Sequence, residues 1–261
     1  MIFPVTAQMI VKNEERFVWF AIQAVLPFIK KFLITDTGST DNTLKIIQDI
    51  KSKKIVLTTD KKDSLVKIRQ RQLKQTQTPW FLLVDGDEVW PRPQLLKLLQ
   101  LTKVLSKSKI AVVNETRNCV GDVWHYLPEN TGEYCFFREK GHFNIRLMRR
   151  LPYTIINEYP LEEYCFKGKS VNRLDNNLEK TKAWYLHLTH LQRTSIRGKN
   201  LGRRKKIKAR GLEILKKELP EVFFKKKPKL VKDPLKKRSI FYKLQMWLIL
   251  PIKIFRRRLC S

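Results

Sequence analysis

The feature that most constrains this fold is a strand-like apolar segment that runs directly into acidic residues. Residues 80–84 (WFLLV) have the length and composition of a strand buried on both faces, as in a parallel sheet, and residues 85–88 (DGDE) follow them. Ligands of open α/β sheets bind beyond the carboxyl ends of the strands. Asp85 and Asp87 therefore predict an oxygen-rich site for Mg²⁺ or Mn²⁺ shared with a diphosphate. Asp-Gly is also a common turn dipeptide, so this stretch alone is equally compatible with a polar turn.

Three more strand-like segments precede this one, and helical patterns separate them. Strands are predicted at residues 5–11, 32–35 and 55–57, with helices beginning near residues 14, 41 and 63. Four alternations of strand and helix in the first third of the chain predict an α/β fold with a mostly parallel sheet and crossover helices.

The segment from residue 91 to residue 192 shows a weaker pattern. A helix is predicted up to residue 99, strands at 111–116, 142–148 and 183–190, an irregular region at 118–141 and a loop at 157–160. The last strand carries His187 and His190, and their spacing places them on opposite faces of a strand. We therefore expect only one of the two to point toward the acidic site.

The net charge of +30 is concentrated at the C-terminal end of the chain. Residues 193–261 carry 24 Lys and Arg against four Asp and Glu, whereas residues 1–192 carry 30 against 20. This distribution favours an enzyme domain over residues 1–192 and a basic, helical tail over residues 193–261. A tail of this charge needs a polyanionic partner, either anionic lipid head groups or nucleic acid.

The last twenty residues combine apolar and basic groups. Residues 241–260 place an apolar run around Trp247 beside the arginines at 256–258. The run is about half of a membrane span, so we expect this end to lie in the membrane interface; the alternative is a helix packed on the domain. The chain lacks a basic signal-peptide region, and its four cysteines show no metal-binding spacing. These features favour a cytoplasmic protein, peripheral on the inner face of the plasma membrane.

Three segments together resemble a family 2 glycosyltransferase with the Rossmann-like GT-A fold. They are residues 9–15 (MIVKNEE), 34–41 (ITDTGSTD) and 84–88 (VDGDE), in the order and spacing of that family. Arg69-Gln70 stands where the family often has Arg-Asn. Residues 144–150 (NIRLMRR) and Asn157-Glu158 resemble a later Arg-Leu-Phe-Arg stretch followed by His-Glu, with Asn157 replacing the His.

The resemblance implies a nucleotide-sugar donor, with UDP, GDP or dTDP as the nucleotide, lying across the first strands. Asn13 and Glu14 would line the nucleoside, and Asp36 would bond the base or the ribose. Gly38 lets the backbone approach the nucleotide closely, and Arg69 would place a positive charge near the diphosphate. The donor-binding residues that the resemblance implies are Val11, Asn13, Glu14, Asp36, Gly38, Arg69, Asp85 and Gly86.

The resemblance also implies a divalent metal and a catalytic base. Mg²⁺ or Mn²⁺ would neutralise the departing diphosphate, with Asp87 and Asp85 as ligands and His187 or His190 reaching the metal or diphosphate from the last strand. Inverting transfer needs a carboxylate that removes a proton from the acceptor hydroxyl. The candidates, each equally compatible with a solvated surface carboxylate, are Glu158 first, then Glu162 and Glu163.

The leading hypothesis is a glycosyltransferase that builds a bacterial cell-surface glycan, such as lipopolysaccharide, on a lipid-linked or glycan acceptor. The basic tail favours an anionic membrane surface as its partner. The alternatives are a nucleic-acid-binding protein, which would use the tail, and an inactive scaffold related to glycosyltransferases. The tail carries no recognisable nucleic-acid motif, and intact Asp85 and Asp87 argue against both alternatives.

Overall fold

The computed structural model describes residues 1–157, 162–196, 209–242 and 244. Within those residues, a mixed sheet of eight strands forms the centre of the fold. The helices with defined bounds are α1 (Val18–Val25), α2 (Thr43–Gln48), α3 (Leu65–Gln75) and α4 (Arg92–Val104). The strands are β1 (Val5–Val11), β2 (Lys31–Asp36), β3 (Ile55–Thr59), β4 (Trp80–Leu83), β5 (Glu88–Val89), β6 (Ala111–Asn118), β7 (His125–Tyr126), β8 (Tyr134–Phe136), β9 (Glu139–Gly141), β10 (Phe143–Arg149), β11 (Thr154–Ile156), β12 (Glu163–Phe166), β13 (Lys169–Ser170), β14 (Leu178–His187) and β15 (Leu212–Glu213).

The first four strands form the parallel half of the large sheet, whose order is β3-β2-β1-β4-β10-β6-β14-β5. β1 pairs in parallel with β2 and β4, and β2 pairs in parallel with β3. This confirms the predicted α/β arrangement with crossover helices. β10 then runs antiparallel to β4 and β6, and β5 runs antiparallel to β14, so the second half of the sheet is mixed.

β4 is covered on both faces, as its apolar sequence predicts. Trp80 and Leu82 belong to one hydrophobic cluster, and Phe81 and Leu83 belong to a second cluster on the opposite face. Each of these four side chains is buried, and full burial of one such side chain contributes about 1.5–3 kcal/mol. The strand therefore anchors the acidic segment that follows it to the centre of the fold.

The last long strand begins and ends earlier than the predicted 183–190. β14 starts at Leu178 because it pairs with β6 from Leu178 opposite Ala111 to His187 opposite Asn118. The chain then turns, and the Leu188 amide donates to the Asp87 carbonyl at 2.8 Å. His190 therefore lies beyond the strand, and the prediction of two histidines within one strand was wrong. The region 118–141 was predicted to be irregular, but it contains the short strands β7, β8 and β9.

Residues 209–219 do not form the predicted helix. They contain β15 and a 3₁₀ turn at Lys216–Glu218, and Gly211 has a φ of +69°, outside the helical region. A Cβ atom at Gly211 would lie 2.9 Å from Val120 Cγ2. The close approach of this segment to the domain therefore decides its conformation, and helical propensity does not.

The segment that follows is packed on the domain. Glu218 pairs with Arg117 at 3.0 Å, and the Arg117 guanidinium lies 3.6 Å from the centre of the Trp184 ring. The ring of Phe223 meets that of Phe20 edge-on at 5.3 Å. Contact on this side explains why α1 is buried around almost its whole circumference.

The predicted interface segment at 241–260 lies outside the described residues, apart from positions 241, 242 and 244. In the described part of the chain, no helix has the length and apolar character needed to cross a membrane. Cys119, Cys135 and Cys165 are free thiols, and Cys260 is not among the described residues.

Candidate active site

The candidate site lies at the carboxyl ends of β1, β2 and β4. These strands run parallel with β1 in the middle, so the loops that follow them leave from the same edge of the sheet. Asp36 is the last residue of β2 and lies opposite Val11, the last residue of β1. Asp85, Gly86 and Asp87 follow β4 directly. The fold therefore gathers the predicted donor-binding segments at the edge where α/β sheets bind ligands.

Asn13 joins the loop after β1 to the loop after β2. Its backbone has a φ of 56°, in the left-handed region that asparagine tolerates better than most residues. Its Oδ1 atom accepts hydrogen bonds from the amides of Thr40 at 2.8 Å and Asp41 at 3.4 Å, and its own amide donates to Ser39 Oγ at 2.9 Å. Asn13 thus shapes the turn that follows Asp36.

Asp36 organises the turn and leaves one oxygen available. Its Oδ1 atom accepts hydrogen bonds from the amides of Gly38 and Ser39, both at 2.9 Å. Gly38 has a φ of +94°, a conformation that glycine adopts without strain. Asp36 is 1% exposed, and its Oδ2 atom is buried without a hydrogen-bond partner. A buried acceptor without a hydrogen bond lowers stability, so this atom marks a place where an N–H or O–H group of a ligand would bind.

Two arginines hold the carboxylate of Asp85. Arg69 approaches Oδ1 at 3.5 Å, and Arg146 approaches Oδ2 at 3.0 Å. Burial acts to raise the pKa of Asp85, but the guanidinium groups of Arg146 and Arg69 outweigh it and hold the pKa below its usual value. Asp85 is therefore ionised and oriented, and Arg69, predicted to place a positive charge near the diphosphate, lies beside this carboxylate.

Glu88 forms a buried ionic contact behind Asp85. Its side chain is fully buried and pairs with Arg146, while its other oxygen accepts a hydrogen bond from the Asp85 amide at 3.2 Å. Burial raises the pKa of Glu88, although Arg146 opposes this effect. Arg146 also donates to the Tyr185 hydroxyl at 3.3 Å. One arginine thus ties the acidic loop to β10 and β14.

Asp87 lies between a histidine and a third arginine. Its Oδ1 atom is 3.6 Å from His187 Nε2, and its Oδ2 atom is 3.4 Å from the Arg193 guanidinium. Asp87 is 2% exposed. The pairing of His187 with Glu88 across β14 and β5 holds these neighbours in register. The sheet therefore brings Asp87 and His187 together from distant parts of the sequence.

Glu14 packs beneath the acidic loop. A Cβ atom on Gly86 would lie 2.9 Å from Glu14 Cγ, so only glycine fits this close approach. Burial and the neighbouring Asp87 raise the pKa of Glu14 well above its usual value. Glu14 also pairs with Arg193, which therefore contacts two of the predicted site carboxylates.

The segment that carries Arg193 is fixed to the loop after β1. The Arg16 amide donates to the Arg193 carbonyl at 3.1 Å, and the Ser195 amide donates to Glu15 Oε1 at 2.7 Å. Burial acts to raise the pKa of Glu15, but hydrogen bonds from Ser195 and Asn42 lower it to about 2. The ionised Glu15 carboxylate thus holds this segment beside Asp87.

The residues around Asp87 fit a cation shared with a ligand. The described residues contain no group of three or more His, Cys, Asp or Glu able to hold a metal ion. Mg²⁺ sites commonly use one or two protein ligands and complete their shell with phosphate oxygens and water. Asp87 supplies one carboxylate of this kind, and His187 Nε2 lies 3.6 Å from its Oδ1 atom. Asp85, also a predicted ligand, is directed at Arg69 and Arg146.

The other predicted site residues lie elsewhere. His190 lines a separate cavity together with Arg16, Gln192 and Tyr242, and none of the paired site carboxylates lines that cavity. Glu158 is outside the described residues. Glu163 begins β12, and Glu162 directly precedes it.

The strand β12 lies near Asp85, the carboxylate that Arg69 and Arg146 hold. Burial raises the pKa of Tyr164, and the charges of Arg69, Arg146 and Glu162 also act on it. The hydroxyl of Tyr164 is buried and has no hydrogen-bond partner within the described structure. Glu162 is therefore the described base candidate with a connection to the site.

Three residues of the site were not predicted from the sequence. Arg146 lies within the segment that carried the family resemblance, and a buried arginine inside a strand is a signal of a charged partner. Arg193 and Asn118 gave no local signal. Arg193 meets Asp87 only through the segment after β14, and Asn118 meets His187 only through the pairing of β6 with β14.

Comparison with known proteins identifies relatives of this fold. A family model described as glycosyl transferase family 2 matches residues 6–160. The S. aureus TarS 1–349 structure in complex with UDP-GlcNAc aligns with a TM-score of 0.52 and 15% identity, over 78% of this chain and 61% of that one. A second structure of S. aureus TarS 1–349 aligns with a TM-score of 0.50 and 15% identity, over 72% of this chain and 61% of that one.

A third structure is the glucosyl-3-phosphoglycerate synthase from Mycobacterium tuberculosis in complex with Mn²⁺, UDP and glucosyl-3-phosphoglycerate. It aligns with a TM-score of 0.46 and 13% identity, over 71% of this chain and 72% of that one. This chain thus spans 61% of the TarS structures that it matches. A search of curated proteins found no match.

Proposed function

This chain belongs to glycosyl transferase family 2, and from that membership we propose that it transfers a sugar from a nucleotide-sugar donor to an acceptor hydroxyl. The observation that carries the proposal is the edge formed by β1, β2 and β4. There, Asp36 presents a buried oxygen without a partner beside the Gly38 turn. An N–H of a base or a hydroxyl of a ribose would satisfy this acceptor, and the glycine lets the ligand approach the backbone.

The second part of the proposal concerns the diphosphate. Arg69, Arg146 and Arg193 converge on the acidic loop from α3, β10 and the segment after β14. A leaving nucleotide diphosphate develops negative charge, which fixed guanidinium groups stabilise in a site that excludes water. Asp85 and Asp87 keep these arginines oriented. This gives the arginines a use beyond neutralising the carboxylates.

We propose that a divalent cation, Mg²⁺ or Mn²⁺, binds at Asp87 and His187. Asp87 supplies a carboxylate oxygen, the ligand type that these ions prefer, and His187 places an imidazole nitrogen beside it. When bound, such a cation supplies Lewis-acid help to the departing diphosphate. The other predicted carboxylate, Asp85, would face the ribose or the diphosphate from its place between Arg69 and Arg146.

Transfer with inversion requires one base on the acceptor side. The acceptor oxygen attacks the anomeric carbon as the bond from that carbon to the diphosphate breaks, and a carboxylate takes the proton of the hydroxyl. We propose that this carboxylate is Glu158, with Glu162 and Glu163 as the other candidates. The position of Glu162 beside Tyr164 supports an acceptor surface next to β12.

The acceptor is proposed from charge. Residues 193–261 carry a net charge of +20, and each Lys or Arg close to an anionic membrane contributes about 1 kcal/mol to binding. We propose that the enzyme works at the cytoplasmic face of the plasma membrane on a lipid-linked or glycan acceptor in cell-surface glycan synthesis. Lipopolysaccharide is one such product.

A thermal-shift screen of UDP-, GDP- and dTDP-sugars, with and without Mn²⁺, tests the donor site. A donor at 100 times its Kd stabilises the native state by about 2.7 kcal/mol, which raises the midpoint by roughly 5–10 °C for a protein of this size. Asp36→Asn and Asp87→Ala should each reduce the shift. Asp49 is exposed at the C-terminal end of α2 and serves as a control, and Asp49→Asn should leave the shift unchanged.

The outcomes separate the parts of the proposal. No shift with any nucleotide-sugar, in protein shown by circular dichroism to be folded, would refute the donor site. A shift that is the same with and without Mn²⁺ would refute the cation. The anomeric configuration of the transferred sugar, read from proton coupling constants in the product, decides between inversion and retention.

A further inference from the structure

A continuous chain of hydrogen bonds connects His187 to the loop before β8. His187 Nδ1 lies 3.1 Å from Asn118 Oδ1, and Asn118 Nδ2 lies 3.0 Å from His142 Nδ1. His142 Nε2 is 2.9 Å from Thr131 Oγ1, which is 2.7 Å from the Pro128 carbonyl oxygen. We call these four contacts the His187 hydrogen-bond chain.

The far end of this chain sets the direction of its hydrogen bonds when both imidazole rings are neutral. The Pro128 carbonyl only accepts, so the Thr131 hydroxyl must donate to it. The Thr131 oxygen is then the acceptor for His142 Nε2–H. Burial lowers the pKa of His142, which favours the neutral ring. A neutral ring protonated at Nε2 carries a lone pair at Nδ1.

The same logic continues through Asn118 to His187. An acceptor at His142 Nδ1 requires the amide nitrogen of Asn118, since the opposite orientation would place two acceptors 3.0 Å apart. The Asn118 oxygen therefore faces His187 and accepts a hydrogen bond from Nδ1–H. In the neutral ring, His187 Nε2 then carries the lone pair, and it lies 3.6 Å from Asp87 Oδ1.

We infer that Asn118, His142 and Thr131 are positioning residues that hold His187 in its Nδ1–H tautomer, with the Nε2 lone pair and Asp87 ready to share one divalent cation. The inference rests on the proposed function, because the cation gives this lone pair its use. Two acceptor atoms that face each other repel, and a cation between them removes that repulsion. A hydrogen bond to the second ring nitrogen is the usual way in which a ligating histidine is oriented.

The backbone alone does not explain these side-chain contacts. His187 and Asn118 are register partners in the β14–β6 pair, and the Cys119 amide donates to the His187 carbonyl at 2.9 Å. These main-chain bonds remain when the side chains of His142 or Thr131 are changed. The His187 hydrogen-bond chain thus holds the ring of His187 independently of the pairing between β14 and β6.

The direct test is nitrogen-15 NMR of the imidazole rings in metal-free full-length protein, at a pH where the rings are neutral. The chain contains only four histidines, so each signal can be assigned by single substitution. We expect opposite tautomers, Nδ1–H for His187 and Nε2–H for His142. His142→Phe and Thr131→Val should release the His187 tautomer, whereas His142→Gln, which can accept from Asn118 and donate to Thr131, should preserve it.

The second readout is the Kd of Mn²⁺ measured by calorimetry. Loss of such a supporting contact typically weakens metal binding 10–100-fold, so we expect that range for His142→Phe and near-normal affinity for His142→Gln. His125→Gln is the control, because His125 bonds to Asp122 and is not part of the His187 hydrogen-bond chain. An Nε2–H or charged His187 in the wild-type protein would overturn the inference, as would unchanged tautomer and Kd in His142→Phe.

These readouts keep the inference separate from the proposed function. The NMR experiment contains no metal and no donor, so it decides the tautomer even if the thermal-shift screen finds no nucleotide. If the wild-type tautomer is Nδ1–H and the protein binds no Mn²⁺, the cation-sharing role is overturned.

Discussion

Replacing Arg146 with methionine should destabilise the protein strongly. The arginine pairs with the fully buried Glu88 and with Asp85 at 3.0 Å, and only 11% of its own side chain is exposed. Methionine fills similar space without charge and leaves Glu88 buried without its cation. Breaking a buried pair by removing one partner costs about 3–5 kcal/mol. We expect that loss in the free energy of unfolding at neutral pH.

The pH dependence provides a sharper test than the magnitude. Burial raises the pKa of Glu88, so the folded state takes up its proton more readily than the unfolded chain does, and stability falls as pH rises through that pKa. Arg146 opposes this effect and lowers the pKa of Asp85. In Arg146→Met both pKa values should rise. The loss of stability should therefore be largest at neutral pH and should shrink on acidification as both carboxyl groups take up protons.

Urea unfolding followed by tryptophan fluorescence at several pH values measures this difference. Arg150 is exposed on the same segment, so Arg150→Met is the matched control and should change stability by less than about 0.5 kcal/mol. The double variant Arg146→Met with Glu88→Gln should recover part of the loss, because it buries no unpaired charge. A loss below about 1 kcal/mol, or one that grows on acidification, would contradict the reasoning.

Three further outcomes are expected. Gly86→Ala should cost about 1–3 kcal/mol in urea unfolding, because its Cβ would lie 2.9 Å from Glu14 Cγ; a neutral effect would show that the loop can shift. Arg193→Gln should tighten Mn²⁺ binding without nucleotide in calorimetry, since Arg193 competes for Asp87; weaker binding would show the opposite role. Deleting residues 240–261 should weaken salt-sensitive binding to anionic liposomes, because the deletion removes the apolar run and five of the basic residues of the tail; unchanged binding would exclude the anchor.

The sequence predicted the parallel half of the sheet because local signals specified it. Residues 80–84 carry continuous apolar character that only a doubly covered strand explains, and β4 is that strand. Asp36 accepts hydrogen bonds from the amides of Gly38 and Ser39, so a short stretch of sequence contains these two bonds of the turn. Local signals of this kind are readable from neighbouring residues.

The sequence did not predict contacts that join distant segments. Arg146 meets Glu88 across 58 positions, and Arg193 meets Asp87 across 106. Charge pattern identifies such residues as polar but does not select their partners. The prediction of a helix over residues 209–219 was wrong for a related reason. The close approach of Gly211 to Val120 overrides helical propensity there.

The pairing of Asp87 with His187 has a consequence for how the protein matures during synthesis. The side-chain hydrogen bonds that Asn13 and Asp36 accept in their turn join residues 13–41, which are synthesised early. The proposed cation pair waits for β14, which is made a hundred residues after Asp87, and for the closing of β14 against β5. Under the proposed function, the residues that would bond the base or ribose are therefore synthesised before the pair that would hold the cation.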